Sequence, residues 1–78
     1  MNKITEFKNI AAQYCSVKAE DMNENMRFRE DLGFSSLDFM SFLGELEDQF
    51  DVDVEEGNVL NVRTIGEALT MLNSLTEA

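Results

Sequence analysis

Histidine is absent from the 78 residues, and with it the usual general base and the commonest metal ligand. The single cysteine, Cys15, excludes a disulfide within the chain, and one thiol without a histidine cannot assemble a zinc set. Neither common staple of a small domain is available, so the fold must rest on its apolar core. No stretch approaches the roughly 18 apolar residues of a membrane span, and none is expected to cross a bilayer. The opening Met1-Asn2-Lys3-Ile4-Thr5-Glu6 carries an acid and no long apolar run, unlike a secretory signal or an arginine-rich transit peptide, so the expected location is the cytoplasm. Positive charge is scarce as well: six Lys and Arg against sixteen Asp and Glu give a net charge of −10. That sign argues against nucleic acid as a partner.

A chain of this length supports one core, so residues 1–78 are expected to form one domain that buries roughly 60% of its unfolded surface; the expected state is a monomer. Hydrophobic residues make up 44% of it, enough to fold. The acids are concentrated. From Glu30 through Glu56 there are ten (Glu30, Asp31, Asp38, Glu45, Glu47, Asp48, Asp51, Asp53, Glu55 and Glu56) and no Lys or Arg. Such a block is commonly a solvated surface, and it also steers basic partners.

Ile4, Phe7, Ile10, Ala11, Tyr14 and Cys15 fall in one band at 100° per residue, which predicts a helix from Lys3 to Cys15 with a buried stripe. Cys15 then belongs to packing, since no histidine is present to activate it. Between Ser16 and Glu30 the periodicity fails and polar residues dominate, predicting a long loop pinned to the core by Val17, Met22, Met26 and Phe28. Gly33 then supplies the positive φ of a sharp turn, and Ser35 or Ser36 an N-cap.

The helix that starts there and runs to about Phe50 sorts its side chains. Phe39, Phe42, Leu43, Leu46 and Phe50 share the core face, while Leu37, Met40, Ser41, Gly44, Glu47 and Asp48 lie opposite. Two apolar residues are thus stranded among acids, and the mid-helix Gly44 costs roughly 1 kcal/mol relative to alanine unless a close approach compensates. Asp51 to Glu55 reads as loop, because Val52 and Val54 alternate with acids but no second strand exists to pair with them. As a calcium loop it fails: Gly57 falls one place late and Val62 stands where a glutamate is needed. One or two weak helical turns follow at 55–60. Thr64-Ile65-Gly66-Glu67 is a capping box opening a last helix with Ile65, Ala68, Leu69, Met71, Leu72 and Leu75 in one stripe. These elements predict an all-α fold, a small bundle of three main helices plus one short helix, with a long loop between the first two.

Asp31-Leu32-Gly33-Phe34-Ser35-Ser36-Leu37-Asp38 resembles the attachment site of acyl carrier proteins, in which Asp-Leu-Gly, a variable residue and Asp-Ser-Leu surround a modified serine. The resemblance extends over nearly the whole chain: opening helix, long loop, acidic second helix ending in Phe50-Asp51, short third helix and capped fourth. It implies an acyl-carrier-like bundle whose Ser36 carries 4'-phosphopantetheine, with no catalytic residue and no metal. It implies as partners a phosphopantetheinyl transferase and the ligases, synthases and acyltransferases that work on acyl cargo, through basic docking patches. The partner face would be Leu37, Asp38, Met40, Ser41, Glu47 and Asp48. Ser35 stands where the family has aspartate, and Ser41 and Gly44 where it often has an acid and a larger apolar residue. Fatty-acid biosynthesis and a specialised lipid or polyketide route therefore both remain open. So do a peptidyl or D-alanyl carrier, and an acidic adaptor that is never modified. A hydrolase built on Ser36 is excluded, because the chain offers the hydroxyl no histidine base.

Overall fold

The computed structural model describes residues 2–76, without the side chains of Glu56 and Asn58; Met1, which opens the segment read for a leader, lies outside the described residues, as does the Glu56 carboxylate of the acid block. Helix α1 spans Lys3–Ala12, α2 Ser36–Phe50, α3 Glu56–Val59 and α4 Ile65–Thr76, with one turn of 3-10 helix at Ala19–Asp21 between α1 and α2. The core draws Phe7, Ile10 and Ala11 from α1, Phe42, Leu43 and Leu46 from α2, and Ile65, Ala68, Leu69, Met71 and Leu72 from α4. The expected all-α bundle of three main helices and one short one is what forms. Phe42 is its hub, stacking edge-on against Phe7 (centroids 5.3 Å apart) and Phe34 (5.7 Å) and tilted against Phe28 (5.5 Å). Each such pair adds about 0.5–1.5 kcal/mol beyond the area it buries.

Helix α1 ends three residues before Cys15. The band continues through the turn at 13–15 because Tyr14 leaves the helix to pack on α2, its ring 6.3 Å from Phe42 and its hydroxyl donating to Ser41 O at 3.4 Å. At the other end Ile4, expected in the buried stripe, is 46% exposed. Lys3, one position earlier, is the residue that reaches α4, its Nζ donating to Asn73 Oδ1 (3.1 Å) and Thr76 Oγ1 (2.7 Å), and Ile4 is rotated away from that contact.

The long loop is held more firmly than its polar sequence implies. Met22 and Phe28 are buried and Val17 and Met26 half-buried, as expected, and Leu32 and Phe34 join them in the core. Its backbone also pairs with the start of α4: Phe28 N–H donates to Arg63 O (2.9 Å), Ile65 N–H to Met26 O (3.0 Å) and Gly66 N–H to Glu24 O (2.9 Å). A Cβ at Gly66 would sit 3.1 Å from Glu24 O, so a side chain there would need the paired loop backbone to give by a few tenths of an ångström. Gly44, by contrast, has nothing within 4 Å of where its Cβ would be. The close approach expected to compensate for it does not occur inside this molecule.

Candidate functional site

The segment before α2 is closed by its own hydrogen bonds. Arg27 O accepts from Asp31 N–H (3.0 Å) and Leu32 N–H (3.1 Å), and Phe28 O accepts from Phe34 N–H (2.8 Å). Asp31 Oδ2 returns the favour to Arg27, accepting its backbone N–H at 2.7 Å and its Nε at 3.4 Å. Those contacts, the backbone N–H first and the guanidinium after it, outweigh partial desolvation and hold the Asp31 carboxyl below the usual carboxylate range. Leu32 and Phe34 plunge into the core on either side of Gly33, which takes φ +76° to reverse the chain between them. The reversal sets Ser35 and Ser36 at the head of α2.

The two serines do different work. Ser35 is the N-cap: its Oγ accepts Asp38 N–H at 3.1 Å while Asp38 Oδ2 accepts Ser35 N–H at 3.1 Å, a complete capping box. Ser36 is the first helical residue, exposed, its hydroxyl not needed by the helix. Serine and aspartate are both strong N-caps, so the substitution at position 35 removes a charge and leaves the cap intact. Arg29 Nη2 donates to Ser36 Oγ at 2.7 Å. Beside this pair opens a groove of about 420 Å³ whose wall is built from Phe28, Phe34, Phe39, Met40 and Val62, with Arg29 and Arg63 among its polar residues.

Along the outward face of α2, Leu37 is 80% and Met40 64% exposed, as the helical winding predicts, and Ser41 and Asp48 are exposed beside them. Asp38 and Glu47 are half-buried and already engaged. Asp38 is committed to the capping box, and Glu47 Oε2 accepts Val54 N–H at 2.9 Å, tying the loop after α2 back to the helix. Part of the negative face thus doubles as structure. Its field reaches Tyr14 in the turn after α1: burial first, then the charges of Glu45 and Asp38, push that phenol above its ordinary value of 10.

Three residues at this end of the molecule escape a sequence reading. Arg29 and Arg63 lie in aperiodic segments, and their only signal is that cations are rare in the chain. Leu60 is 78% exposed two residues before Val62, in the weakest part of the helical pattern.

Residues 5–72 match the family described as "Phosphopantetheine attachment site". Among solved structures, the chain is similar to a Mycobacterium tuberculosis protein described as an acyl carrier protein, with 26% identity and a TM-score of 0.80 over 91% of this chain and 96% of that one.

Proposed function

Because the chain belongs to the acyl carrier protein family, whose members are carriers and not enzymes and whose cofactor is 4'-phosphopantetheine, we propose that Ser36 bears that group and that acyl intermediates travel on it. The observation that carries this reading is the division of labour at the head of α2: Ser35 caps the helix, leaving the Ser36 hydroxyl exposed. The residues suit the group. A phosphodiester on Ser36 would lie at the positive end of the helix dipole, where the first amides lack intrahelical acceptors, and beside the Arg29 guanidinium. The group supplies the thiol on which cargo is held as a thioester.

Attachment forms the Oγ–P bond, breaks a P–O bond in the coenzyme A pyrophosphate so that 3',5'-ADP departs, and releases the serine proton to a base. The cargo we assign is an acyl group of fatty-acid, lipid or polyketide synthesis, as membership of the acyl carrier protein family suggests. Leu37 and Met40 form an apolar centre on α2 with Asp38, Ser41, Glu47 and Asp48 around it, and we assign this face to ligases, synthases and acyltransferases with basic docking sites in the cytoplasm.

Incubation with coenzyme A and a phosphopantetheinyl transferase tests the reading by intact mass. The expected gain is one phosphopantetheine per chain, mapped to the peptide containing Ser36. An unchanged mass in the presence of an active transferase favours the unmodified acidic adaptor.

A further inference from the structure

We infer that Arg29 is a positioning residue for the arm: once Ser36 is esterified, its guanidinium pairs with the phosphodiester and lays the start of the arm along the groove toward Arg63. The inference rests on Ser36 being the attachment point. Three observations carry it. Arg29 Nη2 stands 2.7 Å from Ser36 Oγ, the atom that esterification retains and bonds to phosphorus. Arg27, two residues away, is consumed by Glu30 (2.9 Å) and Asp31 (3.4 Å), whereas Arg29 makes no ion pair among the described residues, although acids outnumber cations sixteen to six in the chain. The groove that begins at Ser36 has Arg29, Glu30 and Arg63 on its polar side and Phe28, Phe39, Met40 and Val62 on its apolar side; with Glu30 paired to Arg27, the two arginines leave the polar side suited to an anion followed by a chain of methylenes and amides.

The hydroxyl is a neutral acceptor. The phosphodiester that replaces it presents two non-bridging oxygens that share one negative charge, and guanidinium donors bind such oxygens by charge-assisted hydrogen bonds roughly twice as strong as neutral ones, with a planar fork that lysine lacks. In the unmodified protein the same side chain is hydrogen-bonded to Ser36 Oγ, so Arg29 must swing aside for the transferase and return afterwards. It is exposed and anchored by no other described ion pair, so nothing in the fold opposes that movement.

The test compares parent, Arg29→Lys and Arg29→Gln, each driven to complete modification with excess transferase and checked by intact mass. Two readouts that do not depend on cargo transfer follow: the ³¹P chemical shift of the phosphodiester, and the heteronuclear NOE of the first amide in an isotopically labelled arm. Arg29→Gln is expected to move the ³¹P resonance and lower the NOE toward that of a free arm. Arg29→Lys should fall between, and 1 M salt, which shortens the screening length to about 3 Å, should move the parent toward Arg29→Gln. Identical ³¹P shifts and NOEs in fully modified parent and Arg29→Gln overturn the inference while leaving the carrier reading intact. A parent that gains no mass overturns both. Modification of the parent but not of Arg29→Gln would assign Arg29 to transferase recognition and overturn the positioning role.

Discussion

Ser35 commits its hydroxyl to the backbone while that of Ser36 stays outside the cap, a division that follows from one residue of register at the head of α2. Ser36→Ala is expected to fold normally and remain unmodified by mass. Ser35→Ala is expected to accept the group and melt lower, by about 1 kcal/mol for a lost N-cap. The opposite pattern of modification would place the attachment at Ser35. Glu67 does for α4 what Asp38 does for α2, its Oε1 accepting Arg63 N–H (3.0 Å) and Thr64 N–H (3.1 Å) while Thr64 Oγ1 accepts Glu67 N–H (3.1 Å). The Arg63 amide above all, opposed by some desolvation and assisted by Thr64 and the Arg63 charge, holds the Glu67 carboxyl below its ordinary value of 4.5. A carboxyl with a lowered folded pKa stabilises the protein above its unfolded pKa and loses that contribution as pH falls through the folded one. Glu67→Ala should therefore lower the melting temperature at pH 7, and its deficit against the parent should shrink as pH drops below about 4.5. Glu67→Gln, which keeps acceptors without a titrating charge, should lose less. A deficit that stays constant from pH 7 to pH 3 would remove the charged cap from the account.

Helix α2 supplies the cap and Ser36, the core hub Phe42, and the outward pair Leu37 and Met40. Its two faces make separable predictions. Gly44 lies mid-helix with open space where a Cβ would go, so Gly44→Ala should raise stability by about 1 kcal/mol in a denaturant titration. Destabilisation instead would mean that the helix needs the glycine for a reason its surroundings do not reveal. Met40 is 64% exposed, so Met40→Glu should leave the circular dichroism spectrum and melting curve close to those of the parent while impairing transfer to partner enzymes. Asp48→Lys should slow association most at low salt, because exposed charges act mainly through steering. Unfolding of Met40→Glu, with association indifferent to Asp48→Lys, would move the docking surface off this helix.

For the molecule as a whole, the net charge of −10 acts against compactness. The ion pairs among the described residues are those of Arg27 with Glu30 and Asp31, both solvent-exposed, and exposed pairs contribute little. Screening therefore removes more repulsion than attraction. With a screening length near 8 Å at physiological salt, the melting temperature should climb as salt or millimolar divalent cation is added. A flat or falling trend would show that the acids are already far enough apart, or well enough bonded, to be neutral in the balance.

What could be read from sequence was what repeats or closes within a few residues. The stripes of α2 and α4 follow from a 3.6-residue period, the Thr64–Glu67 box from a spacing of three, and the Asp-Leu-Gly turn from the one residue type that tolerates φ +76° without strain. From these came the all-α architecture, while Ser36 was singled out by the resemblance of residues 31–38 to the attachment site of acyl carrier proteins. Other features depended on contacts between distant segments. The pairing of residues 24–28 with 63–66 joins two aperiodic stretches, and the release of Tyr14 from α1 answers a ring on α2. Arg29 reaches Ser36 across a turn whose shape is set by Leu32 and Phe34 entering the core. No local rule encodes such contacts, because each forms only after loop closure has been offset by burial of the whole apolar set. The periodic interactions of this chain thus specified its helices, while the shared core decided what stands beside Ser36.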